Sequence, residues 1–310
     1  MSDKGTALIT GGAGFIGSHL SDLLLAEGQG VRVLDNLTTG SRENLQSTVE
    51  LQVGDILDPE ACLRACQGVH TVYHMAAKVS IRHSLESFHE DAAVNLMGTL
   101  NVLRAAAAGG AKRFVLTSSM GVYTDSPYGQ LVPETHRAEP LSPYGISKLA
   151  AEKYVLMMAP RLGMSPVVLR LFNTYGTRQG YTPYVGVITI FITNLLQGKP
   201  ITIFGDGMQC RDFVHVADVA RALYLAGTVE GATGGVFNVG TGRGTTVKDL
   251  VGVLFSHLGE VEVKHAERQD SELYYSVPDI SRAKSVLGYK ATHKLEEGLA
   301  DVIGYIKSRL

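Results

Sequence analysis

Tyr144 and Lys148 stand four residues apart in the run Tyr144-Gly145-Ile146-Ser147-Lys148, a spacing that puts both side chains on one face of a helix. An ammonium group beside a phenol lowers the phenol's pKa from its ordinary value of about 10. The resulting phenolate can take a proton from a substrate hydroxyl near neutral pH. Taken alone, this spacing also arises by chance at solvated helix starts. A third candidate is Ser119, in the pair Ser118-Ser119, which follows the β-type run Phe114-Val115-Leu116-Thr117. A hydroxyl there would stand at the carboxyl end of a strand and could share the substrate's proton with Tyr144. Local turn bonding is the alternative use of a serine in that place.

A second kind of chemistry lies at Gly11-Gly12-Ala13-Gly14-Phe15-Ile16-Gly17. This GxxGxxG run sits between a strand pattern (Thr6 to Thr10) and a helical one (Ser18 to Glu27, with Leu20, Leu23 and Leu24). Such glycines permit a tight turn and let backbone N–H groups approach a pyrophosphate at a helix N-terminus. Asp35 ends the next strand, Val31-Arg32-Val33-Leu34, where a carboxylate accepts hydrogen bonds from an adenosine ribose and repels a 2′-phosphate. That favours NAD over NADP. Arg32, within the strand, and Arg42, in the following loop, argue the other way with less weight. The other use of Asp35 is to cap the turn Asn36-Leu37-Thr38. A later glycine cluster, Gly234 to Gly244, has no acidic residue closing a βαβ unit after it and reads as loop punctuation before a helix over 247–254.

The elements that must position these groups follow from pattern. Further strands are expected at Leu51 to Val53, Thr71 to His74, Phe114 to Thr117 and Val167 to Leu171, with helical stretches between. That alternation means a parallel sheet covered on both faces. Beyond Tyr175 a Gly-, Pro- and Tyr-rich loop runs to Val185, then a helix (Val187 to Leu196), a strand (Ile201 to Phe204) and shorter mixed elements. The expected fold is α/β, a Rossmann-type doubly wound parallel sheet over residues 1–175, to which some later segments return. A smaller mixed part over 176–310 would close over the carboxyl ends of the strands.

Composition narrows the partners. The 310 residues are 45% hydrophobic and 19% charged, with a net charge of −2, so no basic field invites nucleic acid. The longest apolar stretch, Val185 to Leu196, is interrupted by Thr189, Thr193 and Asn194 and is too short to span a bilayer. No secretory leader is read at Met1-Ser2-Asp3-Lys4. Cys62, Cys66 and Cys210 are an odd number without a CxxC pair, which points to a reduced, cytoplasmic setting and no structural zinc. His74 and His215 lack the spacing of metal ligands and read as structural histidines.

Together these residues resemble the extended short-chain dehydrogenase family, and within it the NAD-dependent nucleotide-sugar epimerases and dehydratases. The resemblance runs through Thr10 to Leu20, Gly54-Asp55-Ile56, His74 to Ala77, Asn95 to Thr99, Ser118 to Tyr123, Tyr144 to Lys148, Leu171-Phe172-Asn173, Gly205-Asp206-Gly207 and Arg211-Asp212-Phe213. It implies that Gly11, Gly14, Phe15, Ile16, Gly17, Asp35 and Asn36 hold NAD. Asp55 and Ile56 would flank its adenine, while Ala76, Ala77, Lys78 and Phe172 would line it, with Asn95 ordering the site. Lys148 would bond the nicotinamide ribose, beside Tyr144. For a sugar nucleotide it implies Ser80, Ser119, Tyr144, Asn173, Val187, Ile203, Arg211, Arg268 and Ser276. Two guanidinium forks can grip a diphosphate on a nearly neutral protein.

Within that family, 4,6-dehydratases carry an Asp-Glu pair after the catalytic Ser/Thr, and uronate decarboxylases commonly carry a Glu at the second position. Here Met120 and Gly121 stand there, and neither side chain can move a proton. The resemblance therefore implies 4-epimerisation of a UDP-hexose by Ser119, Tyr144, Lys148 and NAD: oxidation at C4, then hydride return to the opposite face. A uronic-acid 4-epimerase, a keto-sugar reductase that exchanges its cofactor, and a non-catalytic relative are the competing readings. The family gates the sugar's C2 substituent three residues before the Asp that matches Asp279, which is Ser276; a small residue leaves room for N-acetyl sugars. The sequence departs from the family at Arg268-Gln269-Asp270, in place of Arg-Pro-Gly-Asp, and at Thr124, usually Gly. Helices around Ala92 to Ala108 and Tyr144 to Met158 offer apolar faces that in relatives pair as a four-helix bundle, implying a homodimer.

Overall fold

A computed structural model of the chain describes residues 5–181, 186–268 and 273–310. The strands are β1 (Thr6–Thr10), β2 (Gly30–Asp35), β3 (Glu50–Val53), β4 (Val69–His74), β5 (Arg113–Ser119), β6 (Ser165–Leu171), β7 (Asn173–Tyr175), β8 (Ile201–Phe204), β9 (Cys210–Arg211), β10 (Phe213–His215), β11 (Val236–Val239), β12 (Thr245–Thr246), β13 (Val263–Ala266) and β14 (Tyr275–Ser276). The helices are α1 (Phe15–Ala26), α2 (Pro59–Cys66), α3 (Ile81–Glu86), α4 (Phe88–Ala92), α5 (Thr99–Ala108), α6 (Pro143–Arg161), α7 (Val187–Leu196), α8 (Val216–Thr228), α9 (Val247–Leu258) and α10 (Leu295–Lys307).

The first six strands and β11 form one parallel sheet in the order β11-β6-β5-β4-β1-β2-β3. The order reverses at β1/β4, where a doubly wound sheet opens its ligand crevice. Both faces are covered, so the strands are apolar without alternation: Ala7, Leu8 and Ile9 of β1 are all fully buried. One face packs Leu20 and Leu24 of α1 with Val219 and Leu223 of α8. The other packs Val102 and Leu103 of α5 with Ala151 and Val155 of α6. Residues beyond 175 thus re-enter the first layer system, through α8 against α1 and β11 beside β6.

A third core gathers Phe191 and Ile192 of α7, Leu250 and Leu254 of α9, and Leu299 and Val302 of α10. Three small sheets, β10-β7, β12-β9-β14 and β13-β8, complete the fold, and β7 leaves the carboxyl end of β6 directly. The helix expected from Ser18 begins at Phe15, because the end of the glycine run is itself wound: Ser18 N–H donates to Gly14 O at 3.1 Å. The helix expected over 247–254 runs on to Leu258, where Gly259 at φ 83° ends it.

Candidate functional site

The reaction centre is built where β5 and α6 meet. Ser142 caps α6, its hydroxyl accepting from Gly145 N at 3.2 Å, and Pro143 follows in the first turn, as suits a helix start. A Cβ on Gly145 would lie 2.1 Å from Gly121 O, so only glycine lets α6 close on the turn after Ser119. That approach sets the Tyr144 ring beside the Ser119 hydroxyl: a Cβ built on Gly121 would lie 3.4 Å from Ser119 Oγ and 3.6 Å from the Tyr144 ring. Ser119 Oγ accepts from Gly121 N at 3.1 Å, which leaves its proton to donate to Tyr144. Lys148 lies one turn further along α6, buried.

The electrostatics differ from what the spacing alone suggests. Burial dominates at Tyr144 and raises its pKa; the Ser119 hydrogen bond lowers it, and the Asp91 carboxylate raises it. Lys148 is itself so desolvated that its pKa falls to about 8, with Glu152 and Asp91 pulling it back upward. Glu152 is in turn held by Arg170, whose Nε and Nη2 donate to its two carboxylate oxygens at 2.9 and 2.6 Å, while Nη1 donates to Tyr123 Oη at 2.9 Å.

Sequence reasoning missed Asp91, on α4. It is 3% exposed, and both its oxygens are used: Ser147 Oγ donates to Oδ2 at 2.6 Å and Asn95 Nδ2 to Oδ1 at 2.9 Å. Asn95 sits in a π-helical segment, Ala93–Gly98. Its amide accepts from Lys78 N at 2.8 Å and donates to Lys78 O at 2.9 Å, fixing the loop after β4. The four-residue spacing Asp91…Asn95 was the available signal.

The glycine turn fits a dinucleotide on its own geometry. A Cβ on Gly11 would meet Ala76 Cα and N at 2.8 Å, and one on Gly17 would meet Gly11 O at 2.4 Å, so these glycines let the turn and the 75–77 loop close together. Gly14 precedes α1 with no side-chain cap and no acid in the first turn, leaving the N–H groups of Phe15, Ile16 and Gly17 for an anion. Asp35 is buried, its Oδ2 accepting from Ala13 N at 2.9 Å and Oδ1 from Leu37 N at 2.8 Å, which orients the carboxylate and leaves each oxygen a lone pair. Asn36 Nδ2 donates to Asp55 Oδ2 at 2.8 Å, joining the ends of β2 and β3. Ile56 is buried against Gly98. Arg32 is committed to Glu50, at 2.8 Å, and to the carbonyls of Ala65 and Gln67, whereas Arg42 is exposed. The Lys78 ammonium pairs with Glu90 at 2.8 Å.

On the substrate side, Asn173 Oδ1 and Ser118 Oγ are buried with no hydrogen-bond partner among the described residues. Asn173 and Val187 line one small cavity with Gln179 and Phe213. Phe172 is buried beside Val122 and Tyr123. Arg211 and Arg268 converge on Tyr274: Arg211 Nη1 donates to its carbonyl at 3.4 Å, and the Arg268 guanidinium lies 4.8 Å from its ring centre. Ser276 pairs with Arg211 across β14 and β9, and its hydroxyl bonds the Met120 Sδ at 3.2 Å. Ser80 caps α3, accepting from His83 N at 3.0 Å. Ile203 stands apart from this group, buried in the α7–α9–α10 core, while its neighbour Phe204 lies under Arg82 at 4.9 Å. Gln269 and Asp270, and the loop residues 182–185, lie outside the described residues.

The two histidines sit in structural roles. His74 bonds Thr10 and Thr99 through its two ring nitrogens, at 2.7 and 2.9 Å, and burial lowers its pKa to about 3. His215 caps α8 and stacks on His293 at 4.4 Å. Among the described residues, no helix is long and apolar enough to cross a membrane.

Three comparisons bear on the arrangement. The sequence model of the NAD dependent epimerase/dehydratase family matches residues 7–240. The chain is 37% identical over 303 residues to a putative UDP-glucose 4-epimerase of Methanocaldococcus jannaschii, covering 97% of this chain and 98% of that one. It superposes with a TM-score of 0.94 on the crystal structure of UDP-glucose 4-epimerase from Thermotoga maritima with UDP-glucose, at 38% identity over 98% of this chain and 99% of that one. The Thermus thermophilus UDP-glucose 4-epimerase in complex with NAD gives a TM-score of 0.92 at 36% identity, covering 98% of this chain and 100% of that one.

Proposed function

The chain belongs to the NAD dependent epimerase/dehydratase family, and on that premise we propose that it is a UDP-hexose 4-epimerase. The observation that carries this reading is the placing of Ser119 beside the Tyr144 ring, with Met120 and Gly121 directly after Ser119 bringing no proton-transferring side chain to the centre. The names of the relatives just described support the same reaction.

In this reading Tyr144 takes the proton of the C4 hydroxyl, and Ser119 donates to the same oxygen set and steadies the charge. NAD, when bound, supplies hydride acceptance and return at C4. Gly11 to Gly17 and Asp35 would hold its pyrophosphate and adenosine ribose, with Lys78 and Asn95 shaping the wall and Lys148 at the nicotinamide ribose. Arg211 and Arg268 would grip the diphosphate from either side of Tyr274. The unpartnered Asn173 oxygen is a hydrogen-bond acceptor waiting for the nucleotide sugar. Return of hydride to the other face requires the keto-sugar to turn over, so the sugar must be held mainly through its diphosphate.

Incubation with UDP-galactose, without added NAD, is expected to yield UDP-glucose. A panel of UDP-glucose, UDP-galactose, their N-acetyl forms and UDP-glucuronate, with products read by NMR, tests the assignment. Conversion of UDP-glucuronate alone would replace the hexose with a uronic acid, and sustained NADH consumption would replace epimerisation with net reduction. Ser276, small and buried behind Met120, leaves room for an N-acetyl group in this reading. We also infer a homodimer: Met97, Ile146, Tyr154 and Met157 are exposed large apolar side chains on the adjoining 93–108 and 143–161 helices.

A further inference from the structure

Arg170, near the end of β6, is a buried cation that the mechanism above does not use. Its guanidinium reaches two parts of the reaction centre at once. Nε and Nη2 donate to the two carboxylate oxygens of Glu152 at 2.9 and 2.6 Å. Glu152 follows Tyr144 and Lys148 at steps of four residues along α6, so the three share one face of that helix. Nη1 donates to Tyr123 Oη at 2.9 Å and to Glu134 O at 3.2 Å. Tyr123 closes the short turn Met120–Val122 that begins at Ser119, its N–H donating to Met120 O at 3.1 Å. We propose that Arg170 is a positioning residue of the reaction centre: one guanidinium holds the helix of Tyr144 and Lys148 and the turn of Ser119 in a single setting.

The contacts leave little choice of arrangement. Arg170, Glu152, Tyr123 and Asn238 are each at most 5% exposed. Tyr123 Oη, having accepted from Arg170, donates to Asn238 Oδ1 at 2.7 Å. Asn238, on β11, donates through Nδ2 to Val132 O at 2.8 Å and through its backbone N–H to Glu134 Oε1 at 2.9 Å. Moving one member of this chain strands a buried polar group of another. Backbone pairing holds the same corner, since Ser118 and Ser119 lie opposite Arg170 and Leu171 in the β5–β6 register. The planar, forked guanidinium suits both tasks, gripping a carboxylate along one edge and reaching Tyr123 from the other. An ammonium group in its place makes point contacts and cannot span both. Ser119 and Tyr144 come from different elements, and acting together on one substrate oxygen tolerates misplacement of well under about 1 Å.

Arg170→Lys keeps a cation beside Glu152 and gives up the fork. Tyr123→Phe keeps the ion pair and cuts only the tie to the Ser119 turn. In crystal structures of the parent and Arg170→Lys, the separation of Ser119 Oγ from Tyr144 Oη is expected to grow by about 0.5 Å or more. With UDP-galactose, at a temperature well below each melting midpoint, kcat is expected to fall about tenfold or more in Arg170→Lys while KM stays within about twofold. Tyr123→Phe should show the same shift and loss to a smaller degree. The double variant should be no slower than Arg170→Lys alone, because both cut the same tie. A merely loosened fold would weaken calorimetric binding of UDP as much as turnover. That result, an unmoved Ser119–Tyr144 separation, or parent-like turnover in Arg170→Lys overturns the proposal. Should Arg170→Lys fail to fold, Tyr123→Phe is judged by the same measures. The kinetic half rests on the epimerase reading, whereas the separation does not: a parent inert to every UDP-sugar would refute the epimerase alone, and the crystal structures would still decide on Arg170.

Discussion

Replacing Lys148 with methionine should make the protein more stable while destroying its activity. The stem of lysine already lies in a buried site, and methionine fills a similar volume without a charge. The ammonium's pKa falls from 10.5 to about 8 on folding, and at ~1.36 kcal/mol per pH unit that costs about 3 kcal/mol. The attraction of Glu152 and Asp91 is already contained in that shift, so a net gain of about 3 kcal/mol is expected near neutral pH. The sign follows from proton counting. Between about 8 and 10.5 the unfolded chain binds the proton and the folded one does not, so Lys148 makes stability rise with pH through that window, and its full cost is present below about 8. Urea unfolding of the parent and of Lys148→Met, below and above this window, measures both effects. The variant should be more stable at the lower pH, equal to the parent at the upper, and at least about a hundredfold slower in turnover. A variant less stable than the parent near neutrality, with the parent's pH slope intact, would refute the reasoning.

Gly145→Ala drives a methyl group into Gly121 O. It should destabilise by about 1–3 kcal/mol and cut turnover more than about tenfold by parting Ser119 from Tyr144, as thermal melts and initial rates would show. Arg170→Met leaves the buried Glu152 carboxylate without its two guanidinium hydrogen bonds, and chemical denaturation should report a loss of about 3–5 kcal/mol. Tyr154→Glu puts a charge on the exposed apolar face of α6; if the proposed homodimer forms there, light scattering is expected to find the parent dimeric and this variant monomeric.

The sequence exposes what is local and hides what is convergent. Val187–Leu196 and Ile201–Phe204 have the bounds their apolar patterns predict, and the sheet strands lie where their β-type runs do. The glycine turn was legible because its chemistry is contiguous. Asp91 was not, since its partners Ser147 and Lys148 lie more than fifty residues away and only folding brings them together. Lys148 is partly legible in the same way: spacing puts Tyr144 and Glu152 each one turn from it on α6, but its burial and the approach of Asp91 from α4 follow only from the fold. Ile203 shows the limit in another way. Its strand was clear, yet which face of a four-residue strand meets the cleft is decided by α7, α9 and α10 packing on it.

The wide-wound turn at Ala93–Gly98 carries a consequence for how this scaffold can drift. Such a turn holds a residue more than an ordinary helix would, and it persists where it aims a side chain at something useful. Deleting one residue there would yield a smoother rod, better by its own measure. It would also swing Asn95 away from Lys78 and turn the start of α5 relative to Ile56. Shortening this stretch would therefore exchange the aim of Asn95 for a more regular helix.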